Sequence, residues 1–322
     1  MTESPFITMI ICTRNRAAQL RQVLQSATEM DIPNDLSWEF IVVDNGSSDG
    51  TLDVVISFAD RLPIRCVRED MAGLSNARNR GVAEAKGQYI CWTDDDVEID
   101  SNWLKAYHEA ILRHPEASLF GGEVIPRLLP PTPGWFAKNM NEWPLSNLIA
   151  QRLFGVEFEL TFQGWKIPWG ANFAIKTSEQ KKYLYDPELG VSPKHRRVGE
   201  ETNMMYHLFK NGGSGWWVPG AKVNHIIPAS RQTYKYLYQY SYLTGETFAF
   251  LRHTYPDDNY LLASGRPPNE YSFSKFELYF FAAKRLCRFS IAWMLNKPSH
   301  LRYLRDYAYY MGAASYKEMM KD

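Results

Sequence analysis

The feature that most restricts how this chain folds is an alternation, within its first 125 residues, between short apolar runs and helical patterns. The runs at 6–12, 40–44, 64–67, 89–93 and 118–124 are rich in Ile, Val, Phe and Tyr. Continuous apolar runs of that length suit strands buried on both faces of a parallel sheet. Between them, Leu20, Val23, Leu24 and Ala27 recur at helical spacing in 17–28. Leu74, Ala77, Arg78, Gly81, Val82 and Ala85 share one side of a helix over 74–86, and a helix over 103–113 has Asp100 and Ser101 as candidate N-caps. Strand–helix alternation with short links predicts a doubly wound α/β fold with a mostly parallel central sheet and flanking helices.

After residue 125 the pattern changes. Pro126, Pro130, Pro131, Pro133 and Gly134 punctuate an irregular stretch, followed by Trp135, Trp143, Trp165 and Trp169. Strands are expected at 167–175 and 216–224, a helix at 200–210, and mostly helix from about 232, broken near Pro256 to Pro268. The chain divides into units at 1–125, 126–230 and 231–322, the last a helical extension.

Hydrophobic residues make up 45% and charged residues 22%, the proportions of a folded protein. Lys plus Arg and Asp plus Glu both number 36, and zero net charge argues against a nucleic-acid partner. The balance hides an asymmetry: residues 222–322 carry 14 basic and 8 acidic side chains, so an anionic partner should meet the chain there. Cys12, Cys66, Cys91 and Cys287 are widely spaced and read as reduced, which with the acidic, polar start of the chain suggests a cytoplasmic setting. No run of 18 apolar residues is present, so no membrane-spanning helix is expected.

Asp94, Asp95 and Asp96 follow the apolar run YICWT. In an extended chain Asp94 and Asp96 point one way and Asp95 the other. Paired carboxylates at the carboxyl end of a parallel strand sit where open α/β sheets bind ligands, and hard oxygen donors suit Mg²⁺ or Mn²⁺ shared with phosphate. Neither GxGxxG nor a P-loop follows the first run, which continues as Cys12-Thr13-Arg14-Asn15-Arg16. Phosphates must then be held by metal and side chains. Asp44, ending the second run before Asn45 and Gly46, can accept from a base N–H or a sugar hydroxyl.

ICTRNR, VVDNGSSDGT and GLSNARNRGVAEAKGQYICWTDDD, in that order, resemble the N-terminal half of family 2 glycosyltransferases of the GT-A fold. Pro168-Trp169-Gly170-Ala171-Asn172-Phe173, then Gly199-Glu200-Glu201, then Val223-Asn224-His225 with Arg231 extend the resemblance to about residue 245. It implies a Rossmann-like sheet and a nucleotide-diphosphate sugar donor, typically a uridine one. Thr13, Arg14 and Asn15 would lie against the nucleoside, Asp44 and Asn45 at the base, and Arg78 at the base or phosphates. Asp94 and Asp95 would approach the ribose or sugar. Asp96 would ligate the metal, with Asp94 and His225 in its shell, and Arg231 would clamp the diphosphate. Glu201, or its neighbour Glu200, would be the catalytic base, with Glu where the family often has Asp.

The implied reaction is direct displacement with inversion, by one carboxylate base and one divalent ion. Its acceptor would be a hydroxyl of a glycan or lipid-linked saccharide. Trp169, Gly170 and Asn172 are the candidates for binding it, the indole by stacking on a sugar face and the amide by hydrogen bonds. A sugar-phosphate nucleotidyltransferase would need a glycine-rich basic loop after the first strand. A non-catalytic sugar-binding module would not need Asp94, Asp96 and an acid at 200–201 together. In the last 52 residues, 271–322, 13 aromatics accompany 9 Lys and Arg. Phe276, Phe280, Ala283, Cys287, Ile291 and Met294 recur at helical spacing beside Lys284, Arg285 and Arg288. Such a stripe suits the inner face of a membrane, or packing on the catalytic unit or a second copy of the chain.

Overall fold

The computed structural model describes residues 5–255 and 273–319. In chain order the first half comprises β1 (Ile7–Thr13), α1 (Ala17–Ala27), β2 (Trp38–Asp44), α2 (Thr51–Ile56), β3 (Ile64–Arg68), α3 (Leu74–Glu84) and β4 (Tyr89–Thr93). There follow β5 (Val97–Ile99), α4 (Trp103–Arg113), β6 (Leu119–Leu128), α5 (Gly134–Asn139), α6 (Leu145–Leu148), β7 (Phe158–Glu159), β8 (Asn172–Lys176) and α7 (Thr177–Gln180). The chain continues as α8 (Glu200–Lys210), β9 (Gly215–Ile227), α9 (Tyr234–Thr254), α10 (Lys275–Met294) and α11 (Ser299–Met319). The break expected near Pro256 to Pro268 lies outside the described residues.

The sheet runs β3-β2-β1-β4-β8-β6-β9-β5, with β7 also on β9. The alternating half of the sequence supplies the parallel part: β1 pairs in parallel with β2 and β4, and β2 with β3. β8 enters antiparallel between β4 and β6, β9 runs parallel to β6, and β5 and β7 lie antiparallel to β9. β1 is mostly apolar, and buried along nearly its whole length, because both its faces are covered. Ile7, Met9 and Ile11 pack with α1, α2 and α4 on one face, and Ile10 faces α3, α8 and α9 on the other. This is a doubly wound α/β fold with a helical C-terminal layer. α4 starts just beyond the expected caps: Asn102 is the N-cap, and its N–H donates to Asp100 Oδ1 at 2.9 Å.

α9 carries one face of its length against the sheet layer and another against α11. Gly245 of α9 lies against the Tyr309 carbonyl and Gly312 of α11 against the Tyr242 carbonyl, so close that neither position has room for a Cβ. Paired glycines therefore bring the two helix backbones together and fix α11 to α9. α10 packs on α11 through Leu278 and Ala282. The apolar stripe singled out at 276–294 is on the opposite, exposed side of α10. No helix among the described residues is long and apolar enough to cross a membrane.

Candidate active site

The chain runs outward from β1 to β2 and β3, then crosses back to β4 beside β1. Between the carboxyl ends of β1 and β4 the connections leave in opposite directions and open a crevice, the general ligand position in such sheets. A cavity of about 1040 Å³ begins there and extends between α8 and α9. Thr13, Arg14, Asn45, Arg78, all three aspartates, Trp169, Gly170, Glu200, Glu201, His225 and Arg231 line it.

The aspartates are not arranged by strand alternation. β4 ends at Thr93 and the chain turns, so Asp95 is not directed away from its neighbours. Asp95 is buried; its Oδ2 accepts from Thr13 Oγ1 at 2.7 Å and its Oδ1 from Arg16, tying the end of β4 to the end of β1. Burial pushes the Asp95 carboxyl up to about 6, against the pull of Arg16. Asp94 is the most open of the three, with 37% of its side chain exposed, and its Oδ1 lies 3.5 Å from Arg78 Nη2.

Asp96 divides its two oxygens. Oδ2 accepts from Arg231 Nη2 at 3.1 Å and from Arg16 Nη1 at 3.3 Å, while Oδ1 lies 3.5 Å from His225 Nε2. Burial works to raise the Asp96 carboxyl, but His225, Arg231 and Arg16 outweigh it and hold the group well below the usual carboxylate range. Burial likewise opposes charge on His225, and Asp96 overcomes it, raising the imidazole. Among the described residues no group of three His, Cys, Asp or Glu side chains is preformed for a metal. The donor set still fits one: an anionic oxygen and an imidazole nitrogen, 3.5 Å apart, face each other on the cavity wall, and diphosphate oxygens and water can supply the remaining positions. On Asp96 the arginines use only Oδ2, and Arg231 Nη1 lies 3.4 Å from His225 Nε2.

Arg78, on α3, crosses to the opposite wall. It is 4% exposed, and its Nη1 lies 3.6 Å from Glu200 Oε1 without a hydrogen-bond partner among the described residues. Burial works against its charge, but Glu200 leads the groups that overcome it and raise its pKa further. The ring of Tyr185 backs the guanidinium at 5.3 Å. A buried cation with an orphaned donor on a cavity wall is a site prepared for an anionic ligand.

Gly199, with φ +87°, turns the chain into α8 and brings Glu200 and Glu201 to the helix N-terminus, where the helix dipole favours carboxylates. Glu200 is buried, and burial pushes its carboxyl up to about 7, with Glu201 adding to the shift and Arg78 opposing it. Glu201 is half-buried and reaches the cavity beside Gly170, where a Cβ would lie 3.2 Å from its carboxyl carbon and 3.0 Å from Arg78 Nη2. Cys12 also lines the cavity, but burial pushes its thiol up to about 12, which disfavours the thiolate near neutral pH.

Four expected residues are used differently. Asn172 is fully buried, so it cannot meet an acceptor. Its Oδ1 accepts from Trp103 Nε1 at 2.7 Å and Tyr107 Oη at 2.6 Å, and its Nδ2 donates to the Glu123 and Ala221 carbonyls at 2.8 and 2.9 Å. That saturates the amide and makes it a tie between α4, β6, β8 and β9. Asn45 lines the cavity but spends its side chain on the 69–73 loop, accepting from the Gly73 N–H at 2.8 Å. Asn15 and Asp44 are absent from the cavity wall. Asn15 Oδ1 accepts from the Ser48 N–H at 2.8 Å, and Asp44 Oδ1 from the Ser47 N–H at 2.8 Å. Trp169 does line the cavity, with the Arg152 guanidinium 4.3 Å from its ring.

Arg16, Arg152, Tyr236 and Tyr240 also line the cavity and were not singled out from sequence. Arg16 had a signal, standing two residues after Arg14 in the same run. The others had none, because only the packing of α9 and of the 126–171 segment brings them to the cavity.

The family model described as "Glycosyl transferase family 2" matches residues 8–162. The chain is similar to the glycosyltransferase AglE of Haloferax volcanii, 32% identical over 104 residues that cover 31% of this chain and 34% of the relative. It is also similar to the cholesterol galactosyltransferase of Borreliella burgdorferi, 29% identical over 32% of this chain and 28% of that protein. The chain thus spans about a third of the length of these relatives. In fold it resembles the mannosyltransferase PcManGT from Pyrobaculum calidifontis, solved with GDP-Man and Mn²⁺, with a TM-score of 0.64 at 19% identity over 100% of this chain and 89% of that one. TarS 1-349 of S. aureus follows, with a TM-score of 0.54 at 13% identity over 97% and 91%. The matched motifs and the shared architecture agree: over residues 8–162 this chain is similar to family 2 of the glycosyl transferases.

Proposed function

We propose that the cavity binds a nucleotide-diphosphate sugar, with uridine as its base, and transfers the sugar with inversion to a hydroxyl of a glycan or lipid-linked saccharide. The observation that carries this reading is the pairing of an acidic, imidazole and arginine cluster at the β1–β4 crevice with carboxylates at the start of α8, joined across the cavity by Arg78. The solved neighbours include TarS 1-349 with UDP-GlcNAc as well as PcManGT with GDP-Man, which supports a diphosphate sugar.

Arg231 and Arg78 hold the diphosphate, Arg78 through Nη1, which has no hydrogen-bond partner among the described residues and lies 3.6 Å from Glu200 Oε1. Asp96 and His225 would hold a divalent ion, Mn²⁺ or Mg²⁺, whose contribution when bound is Lewis-acid stabilisation of charge on the departing diphosphate. Glu201 accepts the proton of the acceptor hydroxyl as its oxygen bonds to the anomeric carbon. The bond from that carbon to the β-phosphate oxygen breaks, and its electron pair leaves with the nucleoside diphosphate. Glu200 stays beside Arg78 and positions it. Trp169 and Gly170 form the acceptor wall next to Glu201.

The test is release of UDP from UDP-sugars with and without divalent metal. Glu201→Gln should lower kcat roughly 10²–10⁴-fold with the donor still bound. Asp96→Ala should abolish the metal-dependent rise in melting temperature that UDP produces. Turnover that survives both substitutions refutes the assignment, and a larger shift with GDP than with UDP corrects the base.

A further inference from the structure

α10 has two apolar sides, and α11 covers only one of them. Leu278, Ala282 and Ala292 are buried, whereas Phe276 is 84% exposed, Phe280 67%, Ile291 56% and Met294 69%. With Ala283 and Cys287, both also exposed, they follow one another at spacings of three or four and lie on one line along the 20-residue helix. No described residue covers them. Isolated exposed apolar side chains are ordinary, but a continuous row this long marks a contact surface.

The charge beside the row says what it contacts. Lys284 and Arg288 are exposed on its flank, and the segment 275–306 holds seven basic side chains and two acidic, Glu277 and Asp306, the latter paired with Arg285 and Arg305. A second copy of the chain, meeting this face symmetrically, would bring that positive charge against itself. An anionic surface meets it favourably, and an apolar row flanked by Lys and Arg has the build of a helix lying in a membrane interface. α11 joins this layer to the active cavity: it packs on α9 and places Arg305 in the cavity wall.

We propose that the exposed face of α10 seats the protein on anionic lipid bilayers, with the Phe276–Phe280–Ile291–Met294 row in the acyl boundary and Lys284 and Arg288 at the headgroups. This is independent of the transfer chemistry, because the binding needs no substrate.

Co-sedimentation of the full chain with phosphatidylcholine vesicles, with and without 30 mol% phosphatidylglycerol, on the order of a typical anionic fraction, tests it. Binding to the anionic vesicles is expected, with little to the neutral ones. Lys284→Gln with Arg288→Gln should lower that binding roughly thirtyfold. Phe276→Ser with Phe280→Ser and Ile291→Ser should remove it while the circular-dichroism spectrum and cooperative thermal unfolding match the wild type, which shows that the variant is folded. Equal pelleting of the wild type and either variant, or none by the wild type, overturns the proposal. A wild-type dimer in vesicle-free buffer that the serine variant dissociates also overturns it, by assigning the face to a second copy.

Discussion

Replacing Glu200 by Gln should make the protein more stable above neutral pH, although it removes one member of a buried ion pair. Glu200 is 5% exposed, and its carboxyl is pushed up from an ordinary 4.5 to about 7, chiefly by burial and then by Glu201. The 3.6 Å approach of Arg78 offsets only part of that cost. A group whose folded pKa lies above its unfolded one contributes stability that is full below the unfolded value and lost as pH rises. The window here is about 4.5 to 7, and the loss across it is about 3 kcal/mol. Gln resembles the protonated acid in shape and does not titrate, so the variant escapes the loss. Urea unfolding of both proteins at pH 4.5 and at pH 8 isolates the effect, because all other groups are common to the pair. The difference in unfolding free energy should be near zero at pH 4.5 and should favour the variant by about 2–3 kcal/mol at pH 8. A variant that is less stable at pH 8 would refute the argument and show that the Arg78 pair outweighs the desolvation of the carboxylate.

Asn172→Ala should cost about 3 kcal/mol or more, because it strands the Trp103 and Tyr107 donors in the core, while acceptor KM measured on the surviving folded fraction stays unchanged. A raised KM with normal stability would return Asn172 to the acceptor site. Gly170→Ala should act in the opposite sense. A methyl 3.0 Å from Arg78 Nη2 and 3.2 Å from the Glu201 carboxyl carbon displaces both, so kcat/KM should fall about tenfold or more with a nearly unchanged melting temperature.

The parallel half of the sheet was legible because both faces of β1, β2 and β4 are covered, and total burial writes itself into sequence as unbroken apolar runs. The expected strands at 40–44 and 89–93 end where β2 and β4 end. β5 escaped notice because three residues carry no period; Val97–Ile99 is a strand only by pairing with Val223, Asn224 and His225. That pairing holds Asp96 beside His225. In the same way the exposed row of α10 was legible as periodicity, but not the choice of which apolar side α11 would cover.

The sequence by itself determined the order of strands and helices, the acids at the end of β4 and at the start of α8, and the motifs that carry the resemblance to family 2 glycosyl transferases. These are local properties, set by burial period, turn chemistry and residue type within a few positions of one another. Only the tertiary structure decided which polar groups face the cavity. Asn172 and Asp96 are both polar residues near strand ends, yet the amide is saturated by four core partners and the carboxylate is set with His225, Arg231 and Arg16 on the cavity wall. Which one remains available depends on partners 49 to 135 residues away, and no local pattern specifies those.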